Sequence, residues 1–156
     1  MSLCFENQPD NYRFTLVSAF DDAIDWDRSA VTREEWLLSD HSETQKLQFI
    51  EGAHATEFIC RLMPATRYAE LQAMLPAGGD EIDRPAQVRV QMECFRLAVV
   101  EIRNAEGWRP ERWMAADGLL RREALDRGVV DPAVVQELGY AAFMRQSLNG
   151  RQRKNL

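Results

Sequence analysis

Apolar positions along this chain change period several times, and each change marks a boundary. Tyr12 to Ala19 (YRFTLVSA) alternates large apolar with polar residues and is rich in β-branched and aromatic side chains, which predicts a half-buried strand. From Lys46, Leu47 and Phe49 share one face. Gly52 to Thr56 then reads as a turn, and Phe58, Cys60 and Leu62 recur at period two. The simplest expectation is an antiparallel hairpin of strands 46–51 and 57–63, with Gly52 supplying a positive φ.

Helical spacing takes over at Pro64, a residue favoured at a first helical position, and predicts a helix to Leu75 that buries Tyr68 and Leu71. Thr32-Arg33-Glu34-Glu35 has the hydroxyl-to-glutamate spacing of a capping box and predicts a short helical turn through Trp36, Leu37 and Leu38. After Pro85, residues Val88, Met92, Phe95, Val99 and Ile102 recur at intervals of four and three, the pattern of the best helix in the chain. Asp117 is placed to cap a helix from Gly118 to Arg127 that Gly128 closes, and Asp131-Pro132 starts a last helix over 133–148. Residues 150–156 (GRQRKNL) read as a basic, flexible tail. The expected fold is therefore one α+β domain over 1–149, a small antiparallel sheet of about three strands packed on about four helices, with a helix-dominated C-terminal half.

A chain of 156 residues with 46% hydrophobic and 28% charged positions is long enough, and apolar enough, to bury a core of its own. No apolar run reaches the length of a membrane span, and the opening MSLCFENQPDNYRF lacks the basic start and apolar middle of a signal peptide, so a cytoplasmic protein without a membrane partner is expected. Cys4, Cys60 and Cys94 are odd in number and widely spaced, which signals neither a disulfide framework nor a metal knuckle. The net charge of −6 is polarised. Residues 1–60 carry 12 acids against 4 bases, whereas 61–156 carry 13 against 15. An acidic front argues against a general nucleic-acid binder.

Chemistry is sparse. Asp21, Asp22, Asp25 and Asp27 form the densest charge cluster, but counting from Asp22 puts Asp27 and Arg33 where a calcium loop needs glycine and glutamate. A solvated acidic loop or a contact patch for a basic partner fits better, with a metal-binding or enzymatic domain as the rival reading. His41 and His54 lie 13 residues apart with no further ligand at a recognised spacing; His41 is expected in a polar loop and His54 exposed in the hairpin turn. There is no nucleophile elbow and no glycine-rich phosphate loop, so no catalytic, cofactor or metal residues are assigned. Arg145, Arg151, Arg153 and Lys154 carry four cations and no acid into the C-terminal end. They suit an acidic protein surface, including the Asp21–Asp27 loop of a second copy, and a nucleic-acid-binding regulator is the further alternative. Trp26, Trp108 and Trp113 fall in loop-like contexts, where tryptophan often anchors an interface.

In its order of features the chain resembles a class of small proteins encoded among the virion morphogenesis genes of tailed bacteriophages. The resemblance rests on DDAIDWDRS, DHSETQKLQFIEGAHATEFICRLM closed by PATRYAEL, CFRLAVVEIRNAEGW and GVVDPAVVQELGYAAFMRQSLN, and spans about residues 14 to 149. It implies a non-enzymatic protein that binds other phage structural proteins, as a minor virion component of the tail or head–tail junction or as a tail-assembly chaperone. Homo-oligomers, the host cytoplasm during assembly and the virion itself are the corresponding expectations. The loop 76–84 and the connection 108–113 are longer than that class leads one to expect.

Overall fold

The computed structural model describes residues 13–75 and 83–154, with side chains as far as Gln146. Three strands form one antiparallel sheet in the order β1 (Arg13–Leu16), β2 (Glu57–Arg61), β3 (Val99–Arg103). Around it lie α1 (Arg33–Leu37), α2 (Ala65–Ala73), α3 (Arg84–Ala98), α4 (Pro110–Trp113), α5 (Arg122–Asp126) and α6 (Pro132–Lys154). The fold is α+β with a helical C-terminal half. Among the described residues no helix is long and apolar enough to cross a membrane.

The central strand is where it was expected, but one of its partners is not. Residues 46–51 do not pair with it: Thr44–Lys46 is a 3-10 turn, and Phe49 makes a single bridge to Ile24. This segment is held instead by the loop after β1, through Asp25 N–H to the Gln48 carbonyl and Ile50 N–H to the Ala23 carbonyl, both at 2.8 Å. The alternation of Leu47 and Phe49 was a weak strand signal, because only Leu47 is buried. Gly52 does take a positive φ, of 79°, in the tight turn that follows.

The third strand comes from the expected long helix. Helical spacing runs through Ile102, yet α3 ends at Ala98, and Val99 turns to φ −73°, ψ 122° with no intervening loop. Val99, Val100 and Ile102 are β-branched, and over these few residues a period of two fits as well as a period of 3.6. The open edge of β2 decides between them: Phe58 pairs with Ile102 and Cys60 with Val99, across a bulge at Ile59/Cys60. A second correction concerns 118–127. Gly118 sits at φ 83°, which no helix start accommodates, and Asp117 accepts from Leu119 N–H in a turn that bridges Met114 to Leu120, so α5 begins only at Arg122. Pro64 stands as the N-cap of α2, one position before the expected one.

Other start signals hold. Thr32 and Glu35 form the capping box of α1. The start of α3 carries a cap that the sequence reading did not name, Asp83, which accepts from Ala86 N–H. Gly128 closes α5 at φ 65°. The last helix runs on past Leu148 to Lys154, into the segment read as a tail.

The main core joins all three strands to the helices through Leu16, Phe58, Cys60, Phe95, Leu138 and their neighbours. A smaller satellite core of Val17, Ala19, Ile24, Trp36 and Leu47 lies under the 17–50 region. Of all element pairs, α3 and α6 share the most extensive contact. They approach so closely at Gly139 that a Cβ there would meet the Gln91 carbonyl oxygen at 1.9 Å. Gly139→Ala should therefore destabilise the protein by about 1–3 kcal/mol, although alanine is the better helix former by ~1 kcal/mol. Urea unfolding followed by circular dichroism measures the difference, and an unchanged or raised midpoint would contradict this close crossing.

Candidate functional site

Two polar constructions stand out, one buried and one open. The buried one centres on Glu137 of α6. Its Oε1 accepts from Ser18 Oγ at 2.6 Å, and its Oε2 accepts from Ala19 N–H at 2.7 Å and meets His41 Nε2 at 2.7 Å. Nδ1 of His41 faces the Ser39 carbonyl oxygen at 3.1 Å, so both ring nitrogens look at acceptors. His41 is fully buried, stacks against Trp36 at a centroid distance of 4.7 Å and adopts φ 60°, a left-handed conformation that histidine enters more readily than most residues. Trp36 in turn donates its indole N–H to the Val17 carbonyl at 3.0 Å.

Serine, carboxylate and imidazole together invite comparison with a hydrolytic triad, but the order is wrong. Here the carboxylate sits in the middle, and the hydroxyl bonds to it rather than to the imidazole that would have to take its proton. What the arrangement does is fasten the satellite core to α6. His41 lies in the polar loop DHSET, as expected, but its side chain is fully buried there. Its partner could have been suspected, because Glu137 lies on the face of α6 marked by Val134, Leu138 and Ala141, an acid on an apolar stripe. Nothing in the sequence pointed to which residues it would bind.

The open construction is a groove of about 270 Å³ beside this network. Its floor is Phe58 of β2, Ile102 of β3, and Val130 and Val134 at the start of α6. Its walls are the loop after β1, with Ser18, Phe20 and Asp21, and the turn after β3, with Ala105 to Trp108. Both walls are pinned. Asp21 accepts from Ala23 N–H at 2.9 Å and from Thr56 N–H at 2.8 Å, and Thr56 donates its hydroxyl to the Asn104 carbonyl while Asn104 donates to that of Ala55. Positive φ angles at Asn104 (58°) and Gly107 (77°) give the second wall its curvature.

The rim carries Asp21, Glu106 and Asp131, and among the described residues no lysine, arginine, histidine or cysteine lines the groove. Phe20 and Val129 flank the opening, 48% and 38% exposed. The hydroxyls of Ser18 and Thr56 and both oxygens of Asp21 are already engaged in hydrogen bonds within the chain. The lining is apolar within and acidic at its edge, and its volume falls below the roughly 300–1,000 Å³ of a typical small-molecule site. One or two long side chains would fill it.

The residues singled out from sequence are dispersed. Asp21 and Trp108 meet in the groove. Asp25 accepts from Arg28 N–H within its own turn, and Asp22 and Asp27 are exposed. Among the described residues no group of three or more histidine, cysteine or acidic side chains is placed to hold a metal ion. Trp26 packs on the satellite core under the Arg33 guanidinium, and Trp113 is buried in the main core against Arg112. Arg145 donates to the Asp40 carbonyl and lies over the Phe14 ring. Arg151, Arg153 and Lys154 fall on the last turns of α6, and their side chains are outside the described ones. Cys60 and Cys94 are free and buried, and burial pushes both thiols up, with Cys94 adding to the effect at Cys60 and Glu93 at Cys94.

A second groove of about 470 Å³ lies between α2, α3 and α5. Arginines and acids alternate around it, and several of them neutralise one another. Glu93 accepts from Arg96 at 2.5 Å and from Arg122 at 3.0 Å. Burial works to raise the Glu93 carboxyl, but the hydrogen bond and charge of Arg96, helped by Arg122 and Arg67, outweigh it and hold the group below the usual carboxylate range. Comparison of the chain with protein-family models, with curated proteins and with solved structures gives no match.

Two stability outcomes follow from these contacts. Glu137→Ala, which strands His41, Ser18 and the Ala19 amide in the interior, should lower stability by about 3–5 kcal/mol. Glu137→Gln, which keeps an acceptor, should lower it less. Equal losses in urea unfolding would mean that the carboxylate is not the hub. For Glu93 the folded-state value is depressed, so its contribution is complete above the ordinary value of 4.5 and is lost as pH falls through the lower folded-state value. Glu93→Gln should therefore flatten the acid limb of the stability–pH curve while leaving its shape near neutrality unchanged, and an identical acid limb in both proteins would refute the assignment.

Proposed function

We propose that this chain is a non-catalytic docking protein that acts in the assembly of tailed-bacteriophage particles, as a component of the tail or head–tail junction or as a chaperone of tail assembly. The phage setting comes from the sequence resemblance. The docking role is supported by the groove between the β1 loop, the β3 turn and α6, apolar inside, acidic at the rim and flanked by the exposed Phe20 and Val129. Such a lining favours a protein segment that presents a long, largely apolar side chain beside positive charge. Burial of the stem drives association, and the acids select the sign of the neighbour.

A photo-crosslinking amino acid at Val129, introduced while the encoding phage is being produced, should join the chain to a protein of the particle. Phe20→Lys, at an exposed position, should reduce infectious particles about tenfold or more, because it puts a charge of the partner's own sign into a small apolar contact, at a cost of more than about 1.4 kcal/mol. The melting temperature should stay near that of the unaltered protein. Undiminished particle yield, or crosslinks confined to nucleic acid, would overturn the proposal.

A further inference from the structure

Charge is distributed unevenly along α6. Its first turns border the groove, where Asp131 stands on the rim and Val134 in the floor. After Glu137 the helix carries no acid, and its last turns bear Arg151, Arg153 and Lys154. A 23-residue helix is about 34 Å long. The acidic groove and the three cations are therefore held at opposite ends of one rod, too far apart to meet within a copy. Arg145, the remaining cation of this stretch, is spent on the Asp40 carbonyl and the Phe14 ring of its own chain.

We infer that the groove of one copy receives the basic end of α6 from a second copy, head to tail. This rests on the reading of the groove as a protein-docking site and names its partner. The chemistry matches on both sides. An arginine offers a long aliphatic stem that can lie against Phe20 and Trp108, and a planar cation that stacks on an aromatic ring while its N–H groups reach carboxylates. The rim offers Asp21, Glu106 and Asp131 with no competing base among the described residues, and the donor segment offers three cations with no acid between them. The two surfaces are different patches of one chain, so the contact is heterologous. Each copy that docks leaves a free groove at one end and a free basic helix end at the other, and assembly continues into a ring or an open filament.

Sedimentation velocity of the full chain over a concentration series tests this. The protein should form species larger than a dimer at low salt, and moving from about 0.05 to 0.5 M salt should weaken association tenfold or more, because the pairing charges lie at a solvent-accessible rim. Glu106→Lys, at an exposed groove position, and Arg151→Glu combined with Arg153→Glu should each give a folded monomer, with melting temperature as the control for folding. An equimolar mixture of these two proteins should associate again, as a one-to-one dimer, because the unaltered groove of the helix-end variant then receives the unaltered helix end of the Glu106→Lys variant. A wild-type protein that stays monomeric, variants that assemble as the wild type does, or a mixture that remains monomeric would each overturn the inference. If the wild type is monomeric while the Val129 crosslinker still captures a different particle protein, the docking role stands and only the identity of the partner falls.

Discussion

One buried carboxylate holds the two parts of this protein together. Glu137 reaches from α6 to the hydroxyl of Ser18, the amide of Ala19 and the ring of His41, three groups from two separate loops of the N-terminal region. Hydrophobic contact alone would leave the satellite core around Trp36 free to slide on the main core, because apolar burial is non-directional. A carboxylate with several fixed partners gives one seating. The groove depends on that seating, since Ser18, Phe20 and Asp21 form one of its walls and Val134, on the helix that carries Glu137, forms part of its floor.

Local signals were legible wherever backbone chemistry is local. A hydroxyl and a glutamate three residues apart specify the start of α1, and Gly52 and Gly128 take positive φ where a turn or a helix end requires it. Two of the errors fall where a non-local partner decides. The stretch after Ala98 satisfies both periods, and the free edge of β2 selects strand. The stretch after Lys46 satisfies a strand pattern, but the loop after β1 claims its backbone groups first. A single sequence contains neither of these competitors as a neighbour, so pattern reading had no means of weighing them.

The candidate site was legible only in part, for the same reason. Asp21 and Trp108 were singled out for charge and for aromatic surface, and the fold brings them to one groove although 87 positions separate them. Trp113 and Trp26 carried the same composition signal and went to the two cores. Acidic spacing could not reveal that Asp21 is committed to Thr56 and Ala23, nor that Asp22 and Asp27 are turned outward. Phe20, Val129 and Glu106 bore no signal at all, because an exposed apolar or acidic residue is ordinary until its neighbours in space are known.

The distances along the chain between the partners of Glu137 set an order of events on the ribosome. Ser18 and His41 emerge 119 and 96 positions ahead of the carboxylate they need. At synthesis rates of about 5–20 residues per second, the N-terminal loops wait roughly 5–20 s before that partner is made. β2 is complete before α3, β3 and α6 are made, so for part of this interval the nascent chain presents apolar strand faces that later segments cover. Completion of α6 is thus the step that converts a loosely collapsed N-terminal half into a single fixed structure.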